Sequence, residues 1–280
     1  MVSVTDPERE ESHDFSRVED VKNARIASCQ FEPNIGDVDA NLNQIEQLAN
    51  QLPTSTVFAV FPELCVTGYD LSDISAAKTP VPGPITEQIQ RIAQSAGIDL
   101  IVGLPEAAGD DVYNSLVYIS NQGVEATYRK QQLWGDEAAQ FAAGTEPVVV
   151  DTPVGRVGLL LCYDLNFPEL ALEYDEAGCD HIAVSSAWRQ SFDNDWRLLC
   201  CARALDQTCY VIGSNHSGTQ SGRHHAGESL VAGPRGEIIA KATDDTSTIS
   251  VEVNVDSIET ARIKNPVRKS RHGMTGTSQQ

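Results

Sequence analysis

The chain is short of positive charge: 20 Lys and Arg stand against 40 Asp and Glu in 280 residues, a formal net charge of −20. A surface that binds nucleic acid needs clustered cations to displace counterions from phosphate, so this balance speaks against nucleic acid as a partner. The acid is dispersed along the chain rather than gathered into one block, which disfavours an acidic interaction tail. A dispersed carboxylate surface suits high salt, where screening removes self-repulsion, and a halophilic source is the expectation. Long apolar runs are also missing. None approaches the roughly 18 residues of a spanning helix, and the opening MVSVTDPEREESHDFSRVEDVKN is too polar for a secretory signal. No membrane partner and a cytoplasmic location are therefore expected. The seven cysteines, at 29, 65, 162, 179, 200, 201 and 209, include no C-x-x-C spacing, which argues against a disulfide framework or a zinc ribbon. His224–His225 and Cys200–Cys201 are adjacent pairs that cannot share a helix face, so no metal site and no cofactor is expected.

What remains is a globular composition, 41% hydrophobic, in a chain long enough for one substantial core. The reading is an acidic disordered arm over 1–22, one folded domain over 23–267, and a flexible tail over 268–280. Apolar runs of strand length alternate with segments of helical period. ARIASCQF, TVFAVF, DLIVGLPE and NSLVYIS read as strands, and NLNQIEQLANQL and GPITEQIQRIAQSAGI as helices, the second stopped by Gly97. The second half repeats the alternation. VVVDTPVGRVGLLL reads as a hairpin and PELALEYDEAGC as a helix with Pro168 in its first turn. DHIAVSSAW and YVIGSN read as strands flanking the helix of DWRLLCCARALDQ, and a hairpin and an edge strand follow. No internal sequence repeat is evident. Runs apolar on both faces, several of them hairpin-linked, predict an α/β fold in which two mixed sheets pack face to face with helices outside.

Three of these strands end on a side chain that can do chemistry: Glu63 after TVFAVFP, Lys130 after VEATYR, and Cys162 after GLLL. Each has an ordinary reading when taken singly. Glu63 would open a solvated loop, Lys130 would be a surface charge, and Cys162 would be a packed thiol. Together they form a usable set. A thiol needs a base to become a nucleophile, a carboxylate can be that base, and a cation or backbone N–H can hold an oxyanion.

The segments FPELCVTGYD, YRKQQLWGDEAAQF and LCYDLNFPEL, in this order, resemble the three signatures of the nitrilase-type carbon–nitrogen hydrolases. The resemblance extends from about Arg25 to Val267. It implies a four-layer αββα sandwich with Glu63 as general base, Lys130 as the cation facing the tetrahedral intermediate, and Cys162 as nucleophile. It also places Glu137 as a second carboxylate orienting the lysine, and the Tyr163 N–H in the oxyanion hole. Tyr69, Trp134 and Trp188 near these motifs suggest an aromatic-lined pocket, although Trp134 reads equally well as core. The activity implied is hydrolysis of a small linear amide or N-carbamoyl compound through a thioester, in a homodimer or larger homo-oligomer. The alternatives are acyl transfer or nitrile cleavage on the same scaffold, or a non-catalytic binding protein that keeps the fold. Gln132, Asn166 and Leu172 depart from residues frequent in the family and leave substrate choice and the dimer contact open.

Overall fold

The computed structural model describes residues 24–72, 74–243 and 245–275. The first half runs β1 (Arg25–Gln30), α1 (Val38–Gln51), β2 (Thr56–Val60), a single turn α2 (Ile74–Ala77), α3 (Pro84–Ala96), β3 (Asp99–Ala108), β4 (Asp111–Ser120) and β5 (Gly123–Arg129). The second half runs β6 (Val149–Thr152), β7 (Gly155–Leu161), α4 (Pro168–Glu176), β8 (His181–Ser186), α5 (Asp193–Gln207) and β9 (Tyr210–Asn215). It continues with the short hairpin β10 (Thr219–Gln220) and β11 (Arg223–His224), then β12 (Leu230–Ala232) and β13 (Ile238–Lys241). The chain closes with β14 (Ser247–Glu252), α6 (Val255–Lys264) and α7 (Val267–Thr275).

Two six-stranded sheets result, ordered β14-β1-β2-β3-β4-β5 and β13-β12-β9-β8-β7-β6. In the first, β1, β2 and β3 are parallel, and β14, β4 and β5 join antiparallel. In the second, β7, β8 and β9 are parallel, and β6, β12 and β13 join antiparallel. This is the expected α/β sandwich with two mixed central sheets.

The apolar runs are continuous because both faces of the strands are covered. Ile26, Phe58 and Val60 enter the core between the sheets, with Leu159, Leu161 and Ala183. Their neighbours Ala27, Cys29, Ala59 and Phe61 face outward onto Leu42, Ile45 and Leu48 of α1 and Ile89 and Ile92 of α3. Each such large side chain contributes about 1.5–3 kcal/mol on burial. Asp37 caps α1 by accepting from the Ala40 N–H, while α3 starts on Pro84 and stops at Gly97, whose φ is +69°.

Hydroxyl groups tie the two sheets together. Ser28 Oγ donates to the Gly213 carbonyl at 2.9 Å, Ser214 Oγ to Cys29 at 2.5 Å, and Ser185 Oγ to Phe61 at 2.5 Å.

One expectation needs correction. Residues 268–275, taken as part of a flexible tail, belong to α7, because Arg268 and Arg271 pair with Asp175 of α4, itself buried. That contact is remote in sequence and leaves no local pattern. The arm expected over 1–22 and the last residues, 276–280, lie outside the described residues. Among the described residues, no helix is long and apolar enough to cross a membrane.

Candidate active site

Lys130 and Cys162 directly follow β5 and β7, Glu63 comes three residues past the end of β2, and each turn has a specific support. Past β2 the chain turns at Glu63 and Leu64, where Leu64 takes φ +48°. The turn lies on Gly103 of β3, where a Cβ would stand 2.5 Å from the Leu64 nitrogen and 2.9 Å from Glu63 Cα; only glycine leaves room. At the end of β5 the Lys130 N–H donates to the Asn114 carbonyl at 2.9 Å, and its own carbonyl accepts from Gly144 at 2.8 Å. Cys162 leaves β7 with φ +46° and begins a 3₁₀ turn over Cys162–Asn166. A non-glycine residue in this left-handed region costs about 1–2 kcal/mol. Asp164 holds the turn: its carboxylate accepts from the Leu161 N–H at 3.1 Å, the Tyr128 hydroxyl at 2.8 Å and the Gln132 N–H at 2.8 Å. One buried carboxylate thus joins the cysteine turn to the segment after Lys130, and burial pushes its pKa up to about 6.

The charged groups form one sealed network. Lys130 Nζ donates to Glu63 Oε1 at 2.7 Å and to Glu137 Oε1 at 2.8 Å, and all three side chains are at most 1% exposed. Asn114 Nδ2 donates to Glu63 at 2.8 Å and approaches Glu137 at 3.4 Å. The second oxygen of Glu63 accepts from the Ala187 N–H at 3.0 Å, and that of Glu137 from the Trp134 N–H at 2.7 Å. Every carboxylate oxygen is therefore held, which burial of charge demands. Burial by itself would lower the Lys130 pKa, but the Glu63 and Glu137 carboxylates outweigh it and keep the ammonium well above the ordinary lysine value. Burial raises the Glu63 pKa, and the Lys130 charge offsets only part of that. The Cys162 thiol is likewise pushed up, first by burial and then by the Glu63 charge, against the opposing pull of Lys130 and the Ser186 hydroxyl. The resting thiol is protonated, beside a carboxylate with raised proton affinity.

Beside Cys162 lies a cavity of about 200 Å³, lined by Tyr69, Trp134, Tyr163 and Trp188 together with Arg189, Phe192, Arg223 and His225. The sequence-selected residues thus converge on one place, Trp134 included. Tyr69 contributes its ring, while its hydroxyl is committed to Glu137 at 2.8 Å. Trp188 turns its indole N–H to the Phe192 carbonyl at 2.9 Å. Asn166 lines the cavity and donates to the Tyr163 carbonyl at 3.3 Å. Sequence reasoning missed Asn114, Asp164, Arg189, Arg223 and His225. For Asn114 the available signal was a polar side chain beside the apolar run of β4, and for Asp164 its place two residues after Cys162.

Comparison with known proteins agrees with this geometry. The profile of the family described as carbon-nitrogen hydrolase matches residues 25–263. A protein of Schizosaccharomyces pombe named as a probable nitrilase is 30% identical over 250 residues, 85% of this chain and 92% of its own. A solved branch 10 member of the nitrilase superfamily from Saccharomyces cerevisiae superimposes with a TM-score of 0.82 at 27% identity, covering 89% of this chain and 97% of that one. An amidase from Nesterenkonia sp. gives a TM-score of 0.78 at 26% identity, covering 87% and 95%.

Proposed function

The chain belongs to the carbon–nitrogen hydrolase family, and from that premise we propose that it hydrolyses a small linear amide or N-carbamoyl compound through a thioester on Cys162. The observation that carries this reading is the Lys130 ammonium held at 2.7 Å and 2.8 Å between Glu63 and Glu137, in a cavity it shares with Cys162. Because the thiol rests protonated, the attack has to be coupled to proton removal. Glu63 takes the Sγ proton as sulfur adds to the amide carbon, and the oxyanion forms facing Lys130 and the Tyr163 N–H. Collapse breaks the C–N bond, and Glu63 returns the proton to the leaving nitrogen. Glu63 then removes a proton from water, which attacks the thioester and releases acid and thiol.

Glu137 and Asn114 act by positioning, since they hold Lys130 and Glu63 rather than the cavity. A glutamate-to-glutamine mutant of the related Nesterenkonia amidase shows Michael addition of acrylamide at its active-site cysteine, which supports a cysteine nucleophile and an amide-sized site. The reading includes self-association, supported by Leu198 and Leu205 on α5 and Ile238 and Ile239 on β13, which are 43–62% exposed. The test is ammonia release across carboxamides, N-carbamoyl amino acids, ureido acids and nitriles, with mass spectrometry of the quenched enzyme. Turnover with an acyl mass on Cys162, and loss of rate on the order of 10⁴-fold or more in Cys162→Ser, is expected. No turnover and no acyl adduct across the panel overturns the reading.

A further inference from the structure

The main chain of Glu63 is held from the half of the molecule that carries Cys162. Its N–H donates to the Ser186 carbonyl at 3.4 Å, and its carbonyl accepts from Nε2 of His216 at 2.5 Å. Ser186 ends β8 and His216 directly follows β9, and both strands belong to the sheet of β7. The Ser186 carbonyl also accepts from the His216 N–H at 3.1 Å, so His216 reaches Glu63 both directly and through a shared acceptor. Lys130, Asn114 and the Ala187 N–H orient the Glu63 carboxylate. His216 holds the same residue by its main chain, and is not one of the groups that line the cavity.

His216 is itself fixed. It is fully buried, its carbonyl accepts from the Gly227 N–H at 2.9 Å, and it bridges to Phe31, just past β1. The preceding Asn215 holds the neighbouring loops: its Oδ1 accepts from the Trp188 N–H at 2.7 Å and its Nδ2 donates to the Gly227 carbonyl at 2.7 Å. A carbonyl can only accept, so His216 Nε2 must carry the hydrogen. Burial, and then His225 with its ring centroid 5.0 Å away, push the His216 pKa down to about 3. The ring is therefore neutral wherever Glu63 can act as a base. A neutral donor fixes the main chain without adding a positive charge, which would lower the proton affinity of the carboxylate.

We propose that His216 is a positioning residue for the reaction: by donating from Nε2 to the Glu63 carbonyl it ties the general base to the sheet of the nucleophile and sets the reach of the Glu63 carboxylate toward the Cys162 thiol. Proton transfer demands this control, because a general base works only within hydrogen-bond reach of the proton it takes. The inference rests on the amidase reading, in which Glu63 is the base, and adds a residue to its machinery.

The experiment compares His216→Leu, His216→Gln and His216→Asn with the unmodified enzyme, each checked for folding by thermal melt. Leucine removes the donor. Glutamine places an amide N–H as many bonds from Cα as Nε2, whereas asparagine places it one bond short. The readouts are kcat and KM on an amide that the unmodified enzyme turns over, and the rate at which iodoacetamide alkylates Cys162, followed by mass spectrometry of the peptide that carries it. In the leucine and asparagine variants kcat should fall about 30-fold with KM within about twofold, and alkylation should slow in parallel. Glutamine should restore both rates to within about threefold of the unmodified enzyme. If the leucine variant does not fold, the contrast between glutamine and asparagine decides the matter. Equal kcat in those two variants, or a loss borne by KM, overturns this inference and leaves the amidase reading standing. No turnover of any amide by the unmodified enzyme, with no acyl adduct on Cys162, overturns both.

Discussion

In the first half of the molecule β1, β2 and β3 run parallel and β4 and β5 return antiparallel; in the second half β7, β8 and β9 do the former and β12 and β13 the latter. Each sheet is completed at its other edge by a strand antiparallel to the first of the series, β14 beside β1 and β6 beside β7. Against this shared plan the strand ends diverge. β2 leads to Glu63, while its counterpart β8 leads to Ala187, whose N–H holds Glu63. β7 ends on Cys162, while its counterpart β1 ends on Gln30, whose side chain accepts from the Ser229 N–H. The fifth strands both end at a lysine. Lys130 is sealed between two carboxylates at 1% side-chain exposure, whereas Lys241 is 36% exposed and paired with Glu228 at 3.1 Å. The position on the scaffold is common to both, so burial and the number of fixed partners are what separate a chemical group from a surface charge.

The outer layers differ as well: α5 leaves Leu198 and Leu205 in solvent, 62% and 43% exposed.

The sharpest way to break the comparison is to remove each lysine. Lys130→Met would strand two buried carboxylates and cost about 3–5 kcal/mol, whereas Lys241→Met should cost less than about 1 kcal/mol; urea unfolding measures both. Equal losses would mean that the sealed network does not distinguish the two strand ends. A smaller effect concerns the left-handed backbone of Cys162. Cys162→Gly should be more stable than Cys162→Ala by about 1 kcal/mol, because glycine adopts φ +46° without the Cβ penalty. No difference in melting temperature would show that the turn carries no strain. The smallest expected change in the fold itself comes from Leu198→Glu/Leu205→Glu, which should leave the melting curve of the monomer within about 0.5 kcal/mol and move the sedimenting species to lower mass. An unchanged mass would exclude this face of the second half from self-association.

Much of this was legible in the sequence where strand period and chemistry coincide. Glu63, Lys130 and Cys162 could be selected because each follows a strand-like run, apolar before Glu63 and Cys162, and the two mixed sheets because most such runs are apolar on both faces. Glu137 had no such mark and came from the resemblance alone. Asn114 and Asp164 stayed hidden because a single polar residue in or beside a strand does not announce which distant groups it will bond. Arg189, Arg223 and His225 meet only because the segment after β8 docks on the β10–β11 hairpin, and such loop paths are set by tertiary contacts. The duplicated connectivity left no trace, since strand order is repeated while residues are not. The protonated thiol was equally out of reach, since desolvation belongs to the assembled site and not to the motif.

The serine hydroxyls between the sheets have a mechanical consequence. Glu63 and Lys130 hang from one sheet and Cys162 from the other, so in the proposed reaction the gap that the thiol proton crosses is the gap between two separate plates. Apolar layers alone would let the plates slide by a fraction of an ångström with little penalty, but the bonds from Ser28, Ser185 and Ser214 do not. The pair of sheets works as a calliper, and these serines lock its jaws. Volume-conserving repacking of the apolar interior can then shift stability while leaving the jaw setting, and with it the reaction distance, untouched.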